Sequence, residues 1–200
     1  MTILRSIFHC RVRGSLVVGT LKYHAACYLT HSSIEAIQLL RRQLSFSGPD
    51  VASIDIHVAP GHLSVCNIAS PRSGLETKFS LRHTAALAAC GKDTAAIQTY
   101  SDENALDATL AMVRERVTVH GDRGAGRDAH VVIKTSGGQT AESTFNVAIP
   151  DRDLDRQGER LVAKFHSLAD PVLGAERASM LKRQIAKLEE DHDIRVLMAA

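Results

Sequence analysis

Apolar residues change their spacing several times along this 200-residue chain, and each change predicts an element. Ile34, Ile37, Leu40 and Leu44 recur at helical spacing. Just ahead of them, Ser32-Ser33-Ile34-Glu35 has the spacing of a capping box, so a helix is predicted over 32–44. Ser47-Gly48-Pro49-Asp50 ends it. Ile54, Ile56 and Val58 then alternate with Ser53, Asp55 and His57, the pattern of a strand with one buried face. Residues 61–74 carry Leu63, Val65 and Ile68 without a clear period and close on Ser70-Pro71-Arg72-Ser73-Gly74, so they read as a looser stretch. Ser80 can cap an alanine-rich helix running through Cys90, with Gly91 as its stop. One further helix is predicted from Asp102 or Asn104 to near Glu115.

After that the period becomes two. Strands are predicted at Val117–Val119, Ala129–Thr135 and Thr140–Ile149, with Ser136-Gly137-Gly138-Gln139 as a hairpin signal between the last two. The polar, glycine-rich run Gly121–Asp128 reads as a mobile hairpin connection, because it lacks the residue order of a phosphate-binding loop. Beyond Pro150 two helical stripes follow: Leu161, Val162, Phe165 and Leu168, then Met180, Leu181, Ile185 and Leu188, with Asp170-Pro171 as the break. Residues 1–20 show no period, apart from a short strand expected at Leu16-Val17-Val18. Strands grouped together with helices outside them predict an α+β two-layer sandwich with a mostly antiparallel sheet, plus C-terminal helices. The expected organisation is a lead-in at 1–20, an α+β domain at 21–150 and C-terminal helices at 151–200.

Composition narrows this picture. A hydrophobic share of 44% and a charged share of 23% fit a soluble globular protein. No apolar run approaches the roughly 20 residues a membrane span needs, and Met1-Thr2-Ile3-Leu4-Arg5 does not resemble a secretory signal; the cytoplasm is the expected location. Cys10, Cys27, Cys66 and Cys90 form no CxxC pair and read as reduced and mostly buried, not as a zinc site or disulfide frame. A net charge of +2 argues against nucleic acid as the partner. The charge is uneven, however. Arg5, Arg11, Arg13, Lys22, Arg41 and Arg42 face one acid, Glu35, before position 46; this is either a solvated basic face or a surface for an anionic substrate or acidic partner.

The candidate chemistry lies in Lys22-Tyr23-His24-Ala25-Ala26-Cys27-Tyr28-Leu29-Thr30-His31, just before a predicted helix start. Helix starts offer unpaired N–H groups and the positive end of a dipole, so carboxylates and phosphates settle there. Burial among cations lowers a lysine's affinity for its proton, so Lys22 can serve as a fixed cation or as a proton carrier. Cys27 reads as an acid near a leaving group or as a small buried hydrophobe. His24 and His31 are candidate contacts, His31 equally a simple helix cap, and Lys78 is a candidate carboxylate ligand or interface residue. His57, His62, His83, His120, His130, His166 and His192 show no metal-ligand spacing, and Asp191-His192-Asp193 reads as a solvated end.

Taken together, these blocks resemble the C-terminal part of the 2-methylcitrate dehydratase family, the MmgE/PrpD superfamily. Lys22 to His31 is similar to the family turn Lys-Pro-Tyr-Pro-x-Cys-Arg-x-x-His, and Ile34-Glu35-Ala36 to the helix that follows it. Pro71 with Lys78-Phe79-Ser80-Leu81, then Tyr100-Ser101-Asp102-Glu103, Val117-Thr118-Val119 and Ala163-Lys164-Phe165, resemble later blocks in the right order, over roughly positions 16 to 195. The resemblance implies a smaller α+β domain that works with a large helical N-terminal domain, usually in a homodimer. It implies a cytoplasmic lyase of propionate catabolism or a relative of one, acting on small di- and tricarboxylic acids by proton removal next to a carboxylate, without metal or organic cofactor. Carried over by position, Lys22 and Cys27 are the catalytic candidates, and His24, His31 and Lys78 the substrate-binding ones. The chain departs from the turn where His24 and Ala25 replace an aromatic residue and a proline, and where Tyr28 replaces an arginine that would grip a carboxylate in two places. The helical domain, which carries other catalytic His and Lys residues in this family, is expected to lie outside this chain. The alternative expectation is a non-catalytic remnant or assembly module that keeps the fold and self-associates along Leu161–Leu188.

Overall fold

The computed structural model describes residues 21–188 and Arg195. The strand expected at 16–18, the basic residues Arg5, Arg11 and Arg13, Cys10, and the Asp191-His192-Asp193 end lie outside the described residues. The chain divides into two compact units: His24–Pro150, and a second made of the residues ahead of His24 with those from Asp151 onward.

The first unit is an α+β sandwich. Its helices are α1 (His31–Leu44), α2 (Pro60–Cys66), α3 (Gly74–Thr77), α4 (Leu81–Ala89), α5 (Asp102–Leu106) and α6 (Ala108–Glu115); its strands are β1 (Val51–His57), β2 (Val117–His120), β3 (Asp128–Thr135) and β4 (Thr140–Asn146). The sheet order is β2-β1-β3-β4, with β1–β2 parallel and the other two pairs antiparallel. Alternation puts Ile54 and Ile56 of β1, Val117 of β2, and Val131 and Ile133 of β3 on one buried face. Against that face pack α1, through Ile34, Ile37 and Leu40, and α4, through Leu81 and its alanines. Each fully buried Ile or Leu contributes about 1.5–3 kcal/mol of transfer free energy, which makes this layer the main stabilising term of the unit.

Four expectations need correction. The stretch 61–74 is irregular only in its second part: Pro60 starts α2, which runs to Cys66, its fixed φ suiting a first helical position. The helix expected from Asp102 to Glu115 is two, because the Asp107 side chain accepts from the Leu110 N–H at 2.8 Å and starts a new helix there. The segment after β2 is no hairpin turn, since β1 lies between β2 and β3. Ser32 and Glu35 form no capping box. Helix α1 starts one residue earlier than expected, with Thr30 as its N-cap, and both side chains are engaged elsewhere.

The second unit contains α7 (Leu154–Leu173) and α8 (Ala175–Ala186). Helix α7 runs through Pro171 and stops at Gly174, whose φ of 80° suits a residue without a Cβ. Pro171 forfeits the N–H bond to the carbonyl four residues back, but the helix continues past it for two more residues, so the break falls three residues later than expected. Val162, Val172, Met180, Ile185 and Leu188 are exposed along these helices. No helix among the described residues is long and apolar enough to cross a membrane.

Candidate functional site

The turn that leads into α1 is closed by its own polar groups. The Thr30 hydroxyl donates to the Cys27 carbonyl at 2.8 Å, and the Ser33 hydroxyl to the Thr30 carbonyl at 2.8 Å. Neighbouring segments hold it from outside: Ala25 N–H donates to the Thr94 carbonyl at 2.9 Å and Cys27 N–H to the Lys78 carbonyl at 3.0 Å. The Ser32 hydroxyl donates to the Arg127 carbonyl and accepts from Val147 N–H at 3.1 Å. One serine therefore ties the helix start to the 121–127 segment and to the chain after β4, contacts that local sequence does not signal.

Behind the turn lies a buried polar network. His24 Nε2 is 3.0 Å from Glu35 Oε1, and His24 Nδ1 is 2.7 Å from the Thr94 hydroxyl. Gln38 donates to that hydroxyl at 3.1 Å, and the Tyr100 hydroxyl donates to the Thr94 carbonyl at 3.0 Å. The His24 ring meets the His31 ring edge-on at 4.8 Å, and the Tyr28 ring lies tilted 5.2 Å from that of His31. Helix α2 packs against this turn, and its His62 donates through Nε2 to the Gly126 carbonyl at 3.2 Å. His62 Nδ1 and the Tyr28 hydroxyl are both buried without a hydrogen-bond partner, the kind of vacancy a bound polar molecule fills. Burial also pushes the Tyr28 phenol above its ordinary range, against a smaller opposing pull from Arg127.

The candidates are placed as follows. Cys27 and Lys78 are half-buried, joined through the backbone, with the Lys78 ammonium 5.9 Å from the Tyr100 ring centroid. His24 and His31 are 3% and 0% exposed, so neither ring reaches solvent. Lys22 is exposed and belongs to the second unit. There the Lys164 ammonium donates to the Lys22 carbonyl, and the Arg160 guanidinium lies 3.8 Å over the Tyr23 ring. Arg160 and Lys164 stand four residues apart, on one face of α7, and together hold the segment that bears Lys22. Burial, and then the charge of Lys22, push the Lys164 ammonium below the ordinary lysine range. Neither Lys164 nor His62 was a site candidate from spacing; the Ala163-Lys164-Phe165 block was the available signal for the first.

The chain matches the MmgE/PrpD C-terminal domain over residues 24–190. The chain belongs to the MmgE/PrpD family. No curated protein matches it. Within this MmgE/PrpD domain a second cluster lies on the sheet face away from α1. His120, His57 and His130 stand in register across β2, β1 and β3, the first two rings stacked at 4.4 Å. Each is near a carboxylate: His57 with Asp122 at 2.8 Å, His120 with Asp55 at 3.0 Å, His130 with Glu142 at 3.7 Å. No group of three ligand-type side chains among the described residues is arranged to hold a metal ion.

Proposed function

We propose that this MmgE/PrpD domain is the C-terminal half of a lyase that acts on small di- or tricarboxylic acids, removing a proton next to a carboxylate and completing its site with the family's helical domain. The observation that carries the reading is the family turn: Lys22, Cys27 and His31 stand at the motif's spacing and lead directly into the 14-residue helix α1. In this scheme Lys22 takes the proton or fixes a substrate carboxylate, and Cys27 protonates the leaving group. Cationic side chains, Lys78 among them, hold the charge that develops on the carboxylate as the proton leaves. His24 and His31 reach substrate only through a shift of the turn; as they stand they support it from behind. The unanswered Tyr28 hydroxyl and His62 Nδ1 supply polar groups for a ligand beside that turn.

The test is an assay of this chain, alone and mixed with a candidate helical domain, against a panel of tricarboxylic acids. The expected result is turnover in the mixture, none with the chain alone, and a loss of at least about 100-fold in Lys22→Ala, the scale of a lost acid–base group. Turnover unchanged by Lys22→Ala would remove Lys22 from the mechanism. A second reading, a non-catalytic module that keeps the fold and self-associates, is favoured by Tyr28 at the arginine position and by the burial of both histidines. No turnover in any mixture, with a stable self-associated species in sedimentation, supports it instead.

A further inference from the structure

Strand β4 is an outer strand of the sheet, with β3 on one side and, among the described residues, no strand on the other. The Thr135 N–H donates to the Gln139 carbonyl at 2.9 Å, which sets the alternation of the β3–β4 ladder. Ala141, Ser143 and Phe145 therefore turn their backbone N–H and C=O toward β3, and Thr140, Glu142 and Thr144 turn theirs away from it. Those outward N–H groups make no hydrogen bond to any described residue. Natural sheets blunt such an edge with a very short strand, a bulge, a proline or lysines. The opposite outer strand, β2, is short, at four residues. Strand β4 has seven, pairs with β3 without a register shift, and carries neither proline nor lysine; its one charge is Glu142. Thr140, Glu142 and Thr144 are exposed, while Ala141 and Phe145 pack at the margin of the core.

We propose that β4 is an interface between two copies of this chain, pairing antiparallel with β4 of the second copy about a two-fold axis at Ser143. Residues that exchange hydrogen bonds across the new ladder must come from the outward set on both strands, which leaves few registers. An axis at Glu142 sets that residue against its own copy, two like charges directly opposite, which is destabilising. An axis at Thr144 leaves Thr140 and Ala141 without partners. The axis at Ser143 overlaps all seven residues and sets Glu142 opposite Thr144, and Ala141 opposite Phe145, in both directions. The strand is thus its own complement: no charge meets its like, and a large apolar ring meets a small side chain beside each core. The outward N–H groups gain acceptors, and the two four-stranded sheets run on as one. This interface is independent of the catalytic reading and holds whether or not the chain turns over substrate.

The test is sedimentation of the folded 200-residue chain over a range of concentrations, with substitutions at the exposed Thr144. The expected result is a monomer–dimer equilibrium. Its dissociation constant rises at least about 5-fold in Thr144→Glu, which sets two like-charge pairs against Glu142, and does not rise in Thr144→Lys, which sets two opposite-charge pairs there. Ser143→Cys, at the axis, comes within disulfide reach of its own copy, because unbonded positions of an antiparallel pair stand about 4.5 Å apart between Cα atoms. Mild oxidation should link that variant into a dimer through position 143, read by peptide mass spectrometry, and should not link Thr140→Cys at the end of the overlap. A monomer at every concentration, the result expected if this edge takes an extended segment of another protein, overturns the proposal. So does a dimer that Thr144→Glu and Thr144→Lys affect alike, or one that Ser143→Cys fails to link, which would place the contact elsewhere, along Leu161–Leu188 for example.

Discussion

His24 and Glu35 meet at 3.0 Å in the interior, with side chains 4% and 8% exposed. Eleven residues separate them in sequence, and the contact draws the turn onto the first helix of the sandwich. Removing one partner of such a buried pair costs the other this hydrogen bond in a place where water does not replace it. His24→Ala and Glu35→Ala are each expected to cost about 2–4 kcal/mol. The double variant should cost less than the two together, by at least about 0.5 kcal/mol. Urea unfolding of the four proteins measures this; strict additivity would show the pair to be incidental.

His83 is buried in α4, its Nδ1 3.2 Å from the Arg114 guanidinium. Burial, then Arg114, lower its pKa from 6.5 to about 4. The folded protein thus resists taking a proton that the unfolded chain accepts. No stability is lost from this group above pH 6.5; between there and pH 4 the loss grows, to about 3 kcal/mol at most. The urea midpoint should therefore fall on acidification through this window, and fall less in His83→Gln. Equal slopes in both proteins would assign the acid sensitivity to other groups.

Gly48 tests the packing where the end of α4 meets α6. A Cβ at this position would collide with the Cys90 sulfur and come within 3.3 Å of a Val113 methyl. Gly48→Ala should cost about 1–3 kcal/mol, as overpacking does, and Cys90→Ala should return part of it when combined. A thermal melt of both variants distinguishes this from a backbone effect, which the second change would leave untouched.

Lys22 gives the opposite expectation. Its side chain is exposed, so Lys22→Ala should move the urea midpoint by no more than about 0.5 kcal/mol. Because the charge of Lys22 helps lower the pKa of Lys164, the same change should raise the Lys164 pKa. Titration of isotope-labelled lysine side chains by NMR reads that shift, and a fall would contradict the arrangement.

The elements legible in the sequence are those whose period is written in large apolar residues. Ile34, Ile37 and Leu40 announce α1, and Ile54 and Ile56 announce β1, because burial on one face fixes their spacing. Ser80 and Gly91 were equally readable, as cap and stop of α4, since their roles are local. Helix α2 was not, because Gly61, His62 and Ser64 carry no stripe and the helix depends on its neighbours. The family turn was visible as a motif, but the use of its side chains was not. Ser32 and Glu35 have the spacing of a local cap, yet one answers Arg127 and Val147 and the other His24. A competing long-range partner cannot be read from a short window.

Strand β1 is central in the sheet, yet the residues that flank it arrive only from Val117 onward on one side and from Asp128 on the other. A ribosome therefore releases this strand well before either neighbour exists. Until then the growing polypeptide carries a bare, adhesive edge of Val51, Ile54 and Ile56, a natural docking point for chaperones. Any truncation placed ahead of Asp128 would leave at least one edge of β1 permanently uncovered, which makes premature termination here an aggregation hazard.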